Sequence, residues 1–155
     1  MLEVGDSLRV QLVGSLLRDI GAIVERDRLA PRSRLAFSAR VPNAGVEAVH
    51  ARLAAGKPLV DPSAAHDPFD VIVSDEPAID RARAIAQAHP GAILVTLTVF
   101  GLETTTAGPG SDLVAQASSG ILSTNGFPSG DPMPGGVPAG DHVGAYCPGV
   151  DLGNA

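Results

Sequence analysis

LEVGDSLRVQLVGSLLRDIGAIVE, residues 2–25, reads as strand, helix and strand in succession. Leu2 to Val4 makes a short strand. Asp6 or Ser7 offers an N-cap oxygen to the helix that follows, in which Leu8, Leu12, Leu16 and Ile20 recur every fourth position, with Val13 and Leu17 widening the stripe. Gly21 ends the helix, and Ala22 to Glu25 returns as a second strand. A β-α-β unit this compact implies two parallel strands in one sheet.

The same alternation continues outward. Residues 26–42, RDRLAPRSRLAFSARVP, carry five arginines and read as a loop with at most one brief strand. Val46 to Ala54 is a short helix, Gly56-Lys57-Pro58 a turn, and residues 61–68 a polar loop. Val71 to Val73 is a buried strand, and a helix from about Pro77 to Ala88 starts with proline in its first turn. Ala92 to Thr98 is another strand. The expected fold is therefore α/β, a Rossmann-like parallel sheet with helices on both faces and its ligand site at the carboxyl ends of the strands.

Beyond Thr98 the character changes. A Gly/Thr-rich segment (FGLETTTAGPG, residues 100–110) precedes a short helix near Ser111 to Leu122. Then comes TNGFPSGDPMPGGVPAG, residues 124–140, with four prolines and five glycines. Residues 1–110 and 111–155 are expected to form parts of one domain, the second an ordered loop region that places Asp141.

Composition narrows the function classes. At 155 residues and 45% hydrophobic, with no Trp and one Tyr, the chain supports one core built from aliphatic side chains. No apolar run approaches the ~20 residues of a membrane span, and MLEVGDSLRV lacks a signal pattern, so a cytoplasmic chain is expected. The single cysteine, Cys147, excludes an internal disulfide, and His50, His66, His89 and His142 lack metal-ligand spacing. A net charge of -6 argues against nucleic acid. All eleven Lys and Arg precede residue 84, whereas residues 84–155 hold five acids and no cation. Any anion-binding cation must come from the first half, and Asp141, between a Pro/Gly approach and a run of small residues, is expected to stand unpaired. It also suits the N-cap of a helix starting at His142.

SDLVAQASSGILSTNGFPSGDPMPGGVPAGDHVGAY, residues 111–146, resembles the signature region of the class III CoA-transferases (CaiB/BaiF-type, formyl-CoA transferase-like). That region has a D-x-x-x-Q-A-x-S-G helix, a T-G turn and a Pro-rich loop leading to an Asp. LLRDIGAIVERD, AAGKPLVDPS, DVIVSDEP and HPGAILVTLTVFG resemble, in order, the family's earlier segments. The resemblance implies CoA binding by residues 1–110 and transfer of CoA from an acyl-CoA thioester to a small carboxylic acid, with Asp141 as nucleophile and acyl carrier. It implies that Arg34 and Lys57 meet CoA phosphates, and that Phe100, Gly101, Leu102 and Glu103 lie along the pantetheine arm. Against these stand a solvated arginine face paired with local acids and an ordinary strand-end turn.

Three departures shape the expectation. Ser111 stands where the related α-methylacyl-CoA racemases carry a His base, which disfavours racemisation. The family's NFRPG arginine is replaced around Asp75-Glu76-Pro77, and the segment between Lys57 and Val71 is shortened. The chain is also short for the family, and Pro148 and Gly149 interrupt the helix expected after Asp141. A truncated member, either active or serving as a non-catalytic CoA-binding or assembly domain, is the expectation. The resemblance further implies a homodimer, the shortness of the chain suggests a partner lobe, and the scattered histidines with a lone cysteine lead to no expected metal.

Overall fold

The computed structural model describes residues 1–30, 43–62, 68–102 and 111–153. The chain runs β1 (Leu2–Val4), α1 (Leu8–Asp19), β2 (Glu25–Asp27), α2 (Asn43–Ala54), β3 (Leu59–Val60) and β4 (Val71–Asp75). A 3-10 turn at Glu76–Ala78 leads into α3 (Ile79–Ala88), β5 (Ile93–Leu97), α4 (Asp112–Ser118), α5 (Ile121–Thr124) and α6 (Ala139–Gly153). The five strands form one all-parallel sheet in the order β3-β2-β1-β4-β5. The order grows outward in both directions from β1, so the carboxyl ends of β1 and β4 flank a switch point, the place where open α/β sheets hold ligands.

Strand alternation sorts the core onto the two faces of the sheet. Leu2, Val4 and Ile72 pack with Phe69, Ala78, Ala82 and Ile85 beneath α3. Val73 and Leu97 point the other way, to Val10, Val13 and Leu17 of α1 and Ala145 of α6. Alpha-helix α6 lies close along α1 because Gly144 and Gly149 face it. A Cβ at Gly149 would come within 3.1 Å of Leu16 Cδ1, and one at Gly144 within 3.7 Å of Arg9 Cδ.

Several boundaries differ from the sequence reading. Ser7 is the N-cap of α1, its hydroxyl accepting from Val10 N–H. Ala22 to Val24 is not strand, because Ala22 N–H closes α1 on Leu17 O and the N-terminal ammonium bonds Ile23 O; pairing with β1 starts at Glu25. β3, only two residues long, replaces the expected turn-to-loop passage and pairs with Arg26 and Asp27. The buried side of α1 carries Leu8, Val10, Val13 and Leu17 rather than Leu12, Leu16 and Ile20, because the sheet and α6 cover the helix from two directions. The single helix expected at 111–122 is two, parted by Gly120 in the left-handed region (φ 80). α6 continues through Pro148. Proline inside a helix costs roughly 3 kcal/mol, a cost met here by packing along α1. No helix among the described residues is long and apolar enough to cross a membrane.

One polar pair lies inside this packing. Glu3, on the α1 side of β1, is fully buried, and Lys57 Nζ donates to its Oε1 at 2.6 Å and to Gln11 O at 2.8 Å. Gly14 supplies the space: a Cβ there would stand 1.8 Å from Glu3 Oε1. Burial pushes the Glu3 carboxyl from 4.5 up to about 7, with Lys57 pulling against it. Because the folded-state pKa is the higher, Glu3 stabilises the fold fully below pH 4.5, and that contribution is lost as pH rises through about 7. Glu3→Gln, which imitates the protonated side chain, should therefore match the wild-type Tm at pH 5 and exceed it progressively up to pH 8. Thermal melts across that range check this, and a gap independent of pH, or of opposite slope, contradicts it.

Candidate active site

Gly5 and Asp6 follow β1 directly, and Arg26 to Arg28 run along and past β2, so both meet at the carboxyl edge of the sheet. There they wall a cleft of about 390 Å³ that His50 of α2 and Leu59 of β3 also line. Arg26 and Arg28 bring positive charge to the cleft, although Arg26 Nε also lies 3.8 Å from Glu3 Oε2 and Asp6 is part of the lining; the neighbouring Asp27 is taken up by Arg81, which donates to both of its carboxylate oxygens. Burial lowers the His50 pKa. Its Nδ1 lies 3.1 Å from Gln11 Nε2, so Nδ1 accepts and the ring proton belongs on Nε2. The cleft therefore offers two guanidinium groups and a neutral imidazole.

A second cluster stands where the start of α1 meets the start of α6. Asp141 is the third residue of α6 rather than its N-cap. Its backbone N–H donates to Asp112 Oδ1 at 2.9 Å. Asp112, capped by Ser111 in the first turn of α4, also accepts from Gln116 Nε2 through Oδ2. Buried Gln116 then accepts Gly135 N–H at 2.9 Å and reaches Val137 O with its amide. The D-x-x-x-Q spacing puts Asp112 and Gln116 on one face of α4, where one side chain holds the Pro/Gly-rich loop and the other holds the start of α6. Gly140 packs closely at this junction, where a Cβ would come within 3.1 Å of both Ala115 Cβ and Asp112 Oδ1. His142 Nδ1 lies 2.8 Å from Pro138 O, which fixes that ring nitrogen as the donor.

The expectation of an unpaired Asp141 is corrected here. Arg9 of α1 brings Nε to 3.1 Å from Asp141 Oδ1, with the two side chains 11% and 19% exposed. The contact is close but poorly aligned, because Arg9 Nε has no acceptor in hydrogen-bond geometry. The census of cations by sequence position missed it because Arg9 arrives from the opposite end of the chain through the α1–α6 contact. Burial raises the Asp141 pKa, opposed by Arg9 and reinforced by Asp112. The carboxylate is thus held where its charge is poorly solvated and only partly compensated. Asp75, at the end of β4, is also buried, beside Ser7 and near enough to Arg9 to feel its charge. Burial pushes its pKa up, and Ser7 and Arg9 pull it down.

The remaining residues singled out from sequence are dispersed. Lys57 is committed to Glu3 in the interior and does not reach the cleft. Arg34 and Glu103 lie outside the described residues. Phe100, Gly101 and Leu102 follow β5; Gly101 takes φ 84 and donates its N–H to Thr98 Oγ1, and Leu102 is exposed. They share the carboxyl edge with the cleft, three strand spacings from β2, or about 14 Å. Arg26, Arg28 and His50 are cleft residues not selected individually from sequence; the arginine-rich run 26–42 was the available signal.

The family model of CoA-transferase family III matches residues 66–151, more than half of the chain, and the match includes Asp112, Gln116 and Asp141. No curated protein and no solved structure matches.

Proposed function

The chain belongs to CoA-transferase family III, and from that premise we propose that it moves CoA from an acyl-CoA thioester to a free carboxylic acid through Asp141. Arg26 and Arg28 take the phosphates of CoA in the cleft, and the pantetheine arm runs along the carboxyl edge past Phe100 to Leu102; Arg34 and Glu103 are assigned by the family resemblance to the phosphates and the arm, respectively. The observation that carries the reading is the placement of Asp141: a half-buried carboxylate, fixed by its own backbone to Asp112 and set against Arg9 of α1, the helix that begins just after the cleft residues Gly5 and Asp6.

The chemistry asks little else of the protein. A carboxylate oxygen of Asp141 attacks the thioester carbonyl, the C–S bond breaks, and the CoA thiolate leaves behind a mixed anhydride. The thiolate then attacks Cγ of Asp141, releasing the donor acid and giving an aspartyl-CoA thioester. The acceptor acid runs these two steps in reverse. No proton changes hands, so a residue that is nucleophile and leaving group by turns suffices. Poor solvation favours the attacking carboxylate.

A second reading is favoured by one observation, the guanidinium beside Asp141: a chain that keeps CoA affinity in the cleft but does not turn over. The two are separated by incubating the purified chain with acetyl-CoA and with succinyl-CoA, then quenching with hydroxylamine. Transfer chemistry gives a hydroxamate at Asp141 by peptide mass spectrometry, lost in Asp141→Ala. CoA binding without a label at Asp141 overturns the transfer reading. As part of the same proposal, a second copy or a partner lobe covers the exposed Phe127, Met133, Val137 and Tyr146, in the cytoplasmic setting that the sequence implies.

A further inference from the structure

We infer that Arg9 is the anchor for the carboxylate of the acceptor acid, and that Asp141 occupies that anchor only until it is acylated. The inference rests on the transfer reading above. Arg9 is 9% exposed, and among the described residues Asp141 is its only carboxylate within 4.0 Å. Once Asp141 carries CoA as a thioester it is neutral, and the largely buried Arg9 loses its carboxylate neighbour, which leaves a guanidinium suited to another anion. Asp75 does not take that place, because it stands beyond ion-pair distance and is itself disfavoured as an anion by burial.

The next reactant is a free acid, with the same functional group and charge as the one just lost. Guanidinium binds carboxylate in a fixed planar geometry with paired donors. An acid that replaces Asp141 on Arg9 is thereby held within a few ångströms of the aspartyl carbonyl. Its oxygen attacks Cγ, the C–S bond breaks and CoA leaves as thiolate; the thiolate attacks the acceptor carbonyl, the anhydride C–O bond breaks, and the Asp141 carboxylate is returned to Arg9. Charge is conserved at each step. Water and alcohols, being neutral, are not retained by the anchor, so the same exchange selects transfer over hydrolysis.

The exchange can be imitated without CoA. Asp141→Asn removes the charge at nearly constant shape, with Asp141→Ser as a second version of the same change. Sodium formate, acetate or oxalate is titrated into each, with sodium chloride at matched ionic strength as control, following the Arg9 Nε–Hε resonance and Tm. The expected result is a saturable shift of that resonance and, at one hundred times Kd, a rise in Tm of about 5–10 °C. The wild type should need at least tenfold more acid, and adding Arg9→Gln should abolish the response. No saturable binding by either Asp141 variant, or binding that survives Arg9→Gln, overturns the inference. Hydroxamate labelling of wild-type Asp141 alongside absent acid binding removes Arg9 alone; acid binding without labelling removes the transfer reading and leaves an anion site.

Discussion

Asp141→Asn should lower CoA transfer by roughly a thousandfold or more, the scale expected when a covalent nucleophile is deleted, while Tm moves by only a few degrees. The contrast follows from how the residue is held. Its position depends on its backbone N–H to Asp112 and on the close packing of α6 along α1, neither of which involves the carboxylate. The side chain contributes one misaligned ion pair, and burial already disfavours its charge. Transfer assays with an acyl-CoA donor and a panel of small acids, paired with thermal melts, measure both quantities. Full activity in Asp141→Asn would remove it from the chemistry, and unfolding would show that the carboxylate is structural.

Lys57→Met should be strongly destabilising, costing about 3 kcal/mol at pH 8 because it removes the nearest cation from the buried Glu3 carboxylate and leaves Arg26 Nε at 3.8 Å from the other oxygen. For a chain of this size that is a fall in Tm of roughly 10 °C. The loss should shrink at pH 5, where Glu3 is protonated, and Glu3→Gln combined with Lys57→Met should recover most of it, since an apolar or neutral pair no longer buries a lone charge. Chemical denaturation of the two single variants and the double variant closes the cycle. A Lys57→Met chain that melts like the wild type but has lost CoA affinity would restore Lys57 to the cleft.

The alternation of apolar runs with caps, glycines and prolines located the helices and most strands to within a few residues, although the fourfold stripe read for α1 is not the side it buries. What escaped were features set by partners distant in sequence. Leu59 and Val60 carry no strand pattern between Pro58 and Pro62; they become strand only because Arg26 and Asp27 lie alongside. Glu3 and Lys57 are polar residues that look solvated in isolation, and only the missing side chain of Gly14 lets them meet inside. In the candidate site, Asp112 and Gln116 were visible as a spacing, but their hold on Gly135 and Asp141 is a property of the folded loop. Arg9 was hidden altogether, since no local pattern links the start of α1 to the start of α6.

The two margins of the sheet are unequal. β3 ends it on one side with two residues between prolines, too brief to template another chain, whereas β5 ends it on the other with five residues and, among the described strands, no outer neighbour. Unwanted strand addition and the first step towards aggregation therefore belong to the Ile93–Leu97 margin, and a solubilising charge introduced by design is best spent there, at exposed Ile93.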